Sequence, residues 1–134
     1  MKTGRMINSG VLNPRILSLL ARVRHTNALV IADRGFPFWP EIETVDISLV
    51  DDVPTVVQVI QAARLNGNYT QAFMAREFKV NNSKTMQGKF AGALAGIPVK
   101  FEAHADFKKR VPNAIGLIRT GDTVQYANTI LISG

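Results

Sequence analysis

Residues 28–37 have the sequence ALVIADRGFP, and this stretch decides the fold class. Its first five residues form a short, uninterrupted apolar run, which is typical of a strand covered on both faces. Asp33 follows the run directly, and Gly35 lets the backbone turn. Because open α/β sheets bind ligands beyond the carboxyl ends of their strands, Asp33 is a candidate binding residue. The alternative is that Asp33 only caps the turn.

Segments with helical and strand patterns alternate on both sides of this run. Upstream, Asn13 and Pro14 are typical of a helix start, and an apolar stripe follows them to Val23. Downstream, the pattern predicts helices over 54–65, 83–94 and 105–110, and strands over 44–49, 72–75 and 98–101. Two further strands, 114–119 and 127–132, form a C-terminal pair joined by a turn at 120–122. We therefore predict an α/β fold: a three-layer single domain over 1–134, with a central, mostly parallel sheet flanked by helices.

Composition limits the compartment and the partners. The chain of 134 residues has no cysteine, which excludes disulfides and thiolate chemistry and favours a reducing compartment. No uninterrupted apolar run follows the basic N-terminus, so we expect no secretory signal and a cytoplasmic location without a membrane partner. The net charge of +6 raises the alternative of a nucleic-acid binder. Because residues 33–52 carry six acidic side chains against one basic, we expect no nucleic-acid partner.

Few other side chains suit chemistry. His25 lies at the end of the first predicted helix, where catalytic and surface roles are both open. His104 and Lys108 are four residues apart, so they share one face of a helical turn. Tyr126 and Asn128 share one face of the last predicted strand. Their polar groups suit the binding of sugar hydroxyls, but the pair is equally acceptable as an ordinary strand edge.

Other kinds of site lack their residues. Two histidines without a cysteine or a His-containing motif make a transition-metal site improbable. No glycine-rich phosphate loop with a lysine is present, and no nucleophile-elbow pattern occurs. The residues alone therefore predict a small α/β protein with scattered polar candidates, and no function.

The order of these candidates resembles the ribose pyranase and fucose mutarotase family. The resemblance runs nearly end to end, and the histidines, the aspartate and the final block are specific only in combination. It is carried by the helix after Leu12, His25-Thr26, residues 29–37, 45–49, 53–54, 76–79, 104–108 and 118–122, and Tyr126-Ala127-Asn128.

This resemblance implies an isomerase that interconverts the ring forms of a free monosaccharide such as D-ribose, with no metal or other cofactor. It assigns proton donation to His25. Family members assemble as homo-oligomers, commonly two stacked pentamers, with the pocket at a subunit boundary. The block at 104–108 is more similar to the ribose branch than to the fucose branch. The resemblance places these residues in the sugar pocket: Asp33, His104, Lys108, Tyr126, Ala127 and Asn128.

Three positions depart from the family pattern. Arg24 stands where a glycine is usual, Asn27 where an aspartate is usual, and Arg34 where a small residue is common. The first two motivate an alternative, a non-catalytic sugar-binding module associated with sugar uptake. An L-fucose-type mutarotase is a further alternative, and Arg34 could narrow the pocket or contact an acidic sugar.

Overall fold

Helices and strands alternate along the chain, and the computed structural model describes them for residues 10–134. Residues 1–9, on which part of the expectation of no secretory signal rests, lie outside this range. Within it, no helix has both the length and the apolar composition needed to cross a bilayer. The helices are α1 (Pro14–Arg22), α2 (Val56–Asn66), α3 (Glu77–Asn81), α4 (Lys84–Ala93) and α5 (His104–Arg110), followed by a 3-10 turn at Val111–Asn113. The strands are β1 (Ala28–Ala32), β2 (Glu43–Asp46), β3 (Tyr69–Ala75), β4 (Val99–Glu102), β5 (Gly116–Arg119) and β6 (Thr129–Ser133).

The strands form one sheet in the order β2-β5-β1-β6-β3-β4. The pairs β1–β5, β2–β5 and β3–β4 are parallel, whereas β6 runs antiparallel to both of its neighbours, β1 and β3. The predicted mostly parallel sheet is therefore confirmed. The predicted C-terminal pair is wrong, because β1 lies between β5 and β6. A turn cannot join two strands across an intervening strand, so the whole 120–128 segment makes the crossing.

Helices cover both faces of this sheet, which confirms the predicted three layers. Side chains of β1 alternate between the faces. Leu29 and Ile31 pack with the helices α1 to α4 in the larger core. Val30 and Ala32 pack on the opposite face against Phe107 of α5. The second face is thus covered mainly by one short helix, its 3-10 extension and the loop after β1.

Local interactions explain where the first two helices begin. The side chain of Asn13 accepts hydrogen bonds from the backbone N–H groups of Arg15 and Ile16, both at 3.0 Å, so the predicted cap of α1 is confirmed. Thr55 caps α2 through a reciprocal pair of bonds with Gln58. The predicted strand over 44–49 is shorter than expected. It ends at Asp46, whose carboxylate accepts the backbone N–H of Ser48 at 2.9 Å.

Gly116 allows α1 to lie close to β5. An added Cβ would lie 2.6 Å from Leu19 Cδ1, and Leu19 is fully buried. We expect Gly116→Ala to destabilise the fold by about 1–3 kcal/mol, because the core has no room for another methyl group. Gly88→Ala is the matched control, since nothing lies within 4 Å of its added Cβ on α4. We expect the free energy of unfolding of this control to rise by about 0.5–1 kcal/mol, because alanine favours a helix more than glycine does. Urea unfolding measures the free energy of unfolding of both variants. A change in the same direction for both would contradict the close packing inferred at Gly116.

Candidate active site

Four strand ends bring polar side chains to one edge of the sheet. Asp33 follows β1, Glu77 follows β3 by two residues, and His104 follows β4 by two. Because β6 is antiparallel, its beginning lies at the same edge, and Asn128 directly precedes it. The edge therefore combines the carboxyl ends of β1, β3 and β4 with the start of β6, the position at which α/β sheets bind ligands.

A hydrogen bond joins Asp33, directly after β1, to Asn128, directly before the neighbouring strand β6. The backbone N–H of Asp33 donates to Asn128 Oδ1 at 2.8 Å, although 95 residues separate the two. The N–H of Gly35 donates to Asp33 Oδ1 at 3.0 Å, which confirms that Asp33 also caps its turn. The carboxylate therefore has a structural role in the turn, and the same position at the end of β1 suits a binding role. Asn128 is almost fully buried.

His104 is the first residue of α5 and lies in an aromatic environment. Its ring centroid is 5.1 Å from that of Tyr126 in an edge-on arrangement, and 6.1 Å from that of Phe107. Burial lowers the pKa of His104, and the positive charge of Lys108 lowers it further, whereas Glu77 and Asp33 act in the opposite direction. The Nδ1 atom is buried without a hydrogen-bond partner in the described chain, which leaves one polar atom of the ring unsatisfied.

Lys108 and the 126–128 block were also predicted to line the site. Lys108 lies on α5 one turn after His104, as the spacing predicted. The strand argument for Tyr126 and Asn128 is wrong, because β6 begins only at Thr129. Tyr126 instead has a left-handed backbone with φ of 56°, which is strained for an aromatic residue. This turn directs its ring to His104, while Ala127 is fully buried beneath it.

His25 lies apart from these residues. It is exposed, in the turn between α1 and β1. Asp33 lies at the other end of β1, and the five residues of that strand span roughly 16 Å. One copy of the chain therefore does not place His25 beside Asp33, His104 and Asn128. Next to His25, Thr26 has a left-handed φ of 67°, fixed by a 3.0 Å bond from its N–H to the carbonyl of Ser133.

The three departures from the family pattern have structural roles. Asn27 Oδ1 accepts the backbone N–H of Arg24 at 2.7 Å and so closes the turn that carries His25. The Arg24 guanidinium donates to the carbonyls of Ala21 and Val23, at the end of α1. Arg34 pairs with Asp51 at 3.0 Å. The guanidinium of Arg34 is therefore engaged by the loop after β2.

Two further carboxylates lie at this edge, and neither was among the residues predicted from the sequence. Glu77 accepts the backbone N–H of His104 with both oxygens, at 3.0 and 3.2 Å. Asp122 is 2% exposed and accepts the backbone N–H groups of Val56 and Val124, both at 2.8 Å. Both residues fall in blocks that carry the family resemblance, but only the folded chain shows their partners.

Asp33→Asn should separate stability from sugar binding. Burial raises the pKa of Asp33, and the charge of Asp122 adds to this, while bonds from Gly35 and Asn128 oppose it. The folded state therefore favours the protonated acid of Asp33. The stability that this preference contributes is complete below the ordinary pKa and is lost as pH rises through the folded pKa. The variant keeps Oδ1 as acceptor and removes the buried charge. We therefore expect its melting temperature at pH 8 to equal or exceed that of the wild type, while sugar affinity falls about tenfold or more.

Asp46→Asn is the control of opposite sign. Burial acts to raise the pKa of Asp46, but hydrogen bonds from Ser48 and Arg119 outweigh it and hold the pKa below its ordinary value. Its stabilising contribution is therefore present above the ordinary pKa and is lost as pH falls. Thermal unfolding from pH 3 to 8 should show Asp46→Asn as the less stable variant at pH 8. If Asp33→Asn were less stable than the wild type at that pH, the conclusion that burial raises the pKa of Asp33 would be contradicted.

These features define an open α/β protein with a polar, partly buried binding edge suited to a small hydroxylated ligand. The model of the RbsD / FucU transport protein family matches residues 6–134, and the chain belongs to this family. The predicted family membership is confirmed. D-ribose pyranase of Geobacillus kaustophilus is 36% identical over 129 residues, which cover 96% of this chain and 94% of the relative. D-ribose pyranase of Halalkalibacterium halodurans is 37% identical over 131 residues, covering 96% and 98%.

Solved structures agree with this membership. RbsD of Bacillus subtilis, complexed with D-ribose, superposes with a TM-score of 0.88 at 28% identity, covering 96% of this chain and 98% of RbsD. Fucose mutarotase of Streptococcus pneumoniae, in complex with L-fucose, superposes with a TM-score of 0.77 at 18% identity, covering 91% and 92%. The second similarity shows the common fold alone.

Proposed function

We propose that this protein is an isomerase that interconverts the ring forms of a free monosaccharide, with D-ribose as the substrate. The observation that carries the proposal is the convergence of Asp33, His104, Tyr126 and Asn128 at one sheet edge, around a buried imidazole nitrogen without a partner. The curated relatives named D-ribose pyranase support both the reaction and the sugar. A cytoplasmic location is part of the proposal and agrees with the absence of cysteine in the sequence.

The reaction requires two proton movements. A proton is given to the ring oxygen, and another is taken from the anomeric hydroxyl, which opens the cyclic hemiacetal. The free aldehyde then closes through a different hydroxyl or on its other face. We assign proton donation to His25, as the family resemblance implies, because an imidazole can both give and take a proton. General acid–base catalysis contributes about 10²–10⁴-fold, which is sufficient for a reaction that already proceeds unaided.

The other site residues would hold the sugar. The carboxylate of Asp33 accepts hydrogen bonds from hydroxyls, and the phenol of Tyr126 both donates and accepts. Burial lowers the pKa of His104 and so favours the neutral ring, which offers one donor and one acceptor nitrogen. Lys108 adds a donor from the next turn of α5. Ala127 contributes through its backbone position between Tyr126 and Asn128.

A second copy of the chain would supply His25 to this site. Support comes from the position of His25 at the opposite end of β1 from Asp33. A contact between unlike ends of two copies is head-to-tail, and repetition of such a contact gives a ring when the rotation between neighbouring copies closes. We therefore propose a homo-oligomeric ring, a pentamer or a decamer of two stacked pentamers, with each pocket at a subunit boundary.

Exposed apolar side chains on the loops at this edge support an interface there. Phe38 is 68% exposed in the loop after β1, close in sequence to Phe36, which contacts His104. Leu49 and Val50 are 75% and 61% exposed in the loop after β2. Large apolar side chains clustered beside a polar site are typical of surfaces that another subunit covers.

NMR saturation transfer on D-ribose and L-fucose tests the activity. We expect the protein to accelerate exchange between the pyranose and furanose signals of D-ribose, with a smaller effect or none on L-fucose. Faster exchange of L-fucose alone would favour the mutarotase alternative. Sugar binding by calorimetry without faster exchange would overturn the proposal in favour of a non-catalytic module.

A further inference from the structure

Helix α5 begins without a cap of its own, and Glu77 takes that place. The residue before the helix is Ala103, which has no side chain that can accept a hydrogen bond. The first N–H groups of a helix have no acceptor within the helix. The N–H of His104 instead donates to both oxygens of Glu77, which is the first residue of α3. A carboxylate from another helix thus fixes the start of α5.

This contact determines where the His104 ring lies. His104 is the residue whose own N–H is held, so its Cα and the direction of its side chain are fixed relative to the end of β3. The adjacent bond from the Arg76 N–H to the Glu102 carbonyl, at 2.6 Å, fixes the same junction on the other side. The ring then packs between Phe107 and the edge of Tyr126. Because imidazole donors and acceptors are directional, a small displacement of the helix start would misplace them for a bound sugar.

The charge of Glu77 also acts on the imidazole. The charged groups that face His104 are Glu77 from α3, Asp33 from the end of β1 and Lys108 from α5. Tyr126 contributes an uncharged ring from the 126–128 block. Burial and Lys108 disfavour the imidazolium, and Glu77 is the leading group that opposes them.

We propose that Glu77 is a positioning residue of the sugar site, which holds the His104 imidazole in place through its hydrogen bonds to the His104 backbone. This inference rests on the proposed function for the role of His104. It concerns a residue that does not touch the sugar. Its effect should therefore appear in KM more than in kcat, because His25 remains intact.

Two variants of Glu77 separate the hydrogen bond from the charge. Glu77→Gln keeps an oxygen that accepts the His104 N–H but removes the charge, whereas Glu77→Ala removes both. Glu41→Gln is the matched control, because Glu41 is exposed in the loop between β1 and β2. For each protein, the imidazole resonances of His104 are titrated by NMR, and KM and kcat are measured for D-ribose exchange.

We expect Glu77→Ala to raise KM about tenfold with kcat within about threefold of the wild type. Glu77→Gln should restore KM to near the wild-type value and lower the pKa of His104, while Glu41→Gln changes neither. An unchanged His104 titration in Glu77→Gln would overturn the inference, as would an unchanged KM in a folded Glu77→Ala. The titration needs no catalysis, so it decides the role of Glu77 even if the wild type exchanges no sugar and the proposed function fails.

Discussion

His25→Ala is expected to slow the exchange of D-ribose ring forms by about 10²–10⁴-fold, the contribution of one general acid–base group. His25 is exposed, so the variant should unfold like the wild type. Sugar affinity should change little, because Asp33, His104 and Asn128 remain. NMR exchange, calorimetry and thermal unfolding measure the three quantities. A variant that exchanges ribose as fast as the wild type would remove His25 from the mechanism.

Mixing two impaired variants at a ribose concentration well below KM tests where His25 acts, because His25→Ala lacks the proton donor and Asp33→Asn binds the sugar about tenfold more weakly. If each pocket combines His25 of one copy with Asp33 of the next, subunits of His25→Ala and Asp33→Asn complement each other. After dissociation and reassembly in equal amounts, about a quarter of the boundaries should carry both wild-type groups, so about a quarter of the activity should return. Mixing each variant with itself is the control. No recovery in a reassembled mixture would contradict a pocket shared between copies.

Asp122→Ala is expected to be the most destabilising of the substitutions considered, by about 3 kcal/mol. The carboxylate is buried and accepts two backbone N–H groups, from Val56 at the start of α2 and from Val124, both at 2.8 Å. Each buried N–H left without an acceptor costs about 1–3 kcal/mol. For a chain of this size, the loss corresponds to a decrease of roughly 10 °C in melting temperature.

Asp106→Ala is the matched control for this prediction. Asp106 is 59% exposed and pairs with Lys109 at 3.5 Å, so its removal should cost less than about 0.5 kcal/mol. Asp122→Asn keeps one acceptor and should fall between the two variants. Calorimetric unfolding that places Asp122→Ala beside Asp106→Ala would show that the buried carboxylate does not hold the 120–128 segment to α2.

Local patterns in the sequence were sufficient for most of the fold. The apolar run at 28–32 predicted β1 with its observed bounds, because a strand buried on both faces is an uninterrupted apolar segment whose ends are marked by the first polar residues. Asn13 and Pro14 predicted the start of α1 for a similarly local reason. Helix α3 was not predicted, because its five residues, Glu77–Asn81, contain too few turns for a periodicity to appear.

Contacts between residues distant in the chain could not be predicted from local sequence patterns. The spacing of Tyr126 and Asn128 suggested a strand, but Tyr126 lies in a left-handed turn and its ring packs against His104, 22 positions earlier in the chain. The roles of Glu77 and Asp122 depend on backbone N–H groups 27 and 66 positions away. Residue types identified Asp33 and His104 as candidates. The direction of β6, which no propensity encodes, determines that Asn128 meets them.

The central position of β6 has a consequence for the order of folding. In the sheet, β6 alone connects the β2-β5-β1 half to the β3-β4 half, and it is the last of the six strands along the chain. During synthesis, the two halves can therefore form only separate, smaller sheets until residues 129–133 leave the ribosome. The decisive pairings of β6 with β1 are also distant in sequence, which slows folding because the intervening chain must first be ordered. We therefore expect the sheet and its binding edge to be completed late in folding, when β6 inserts between β1 and β3.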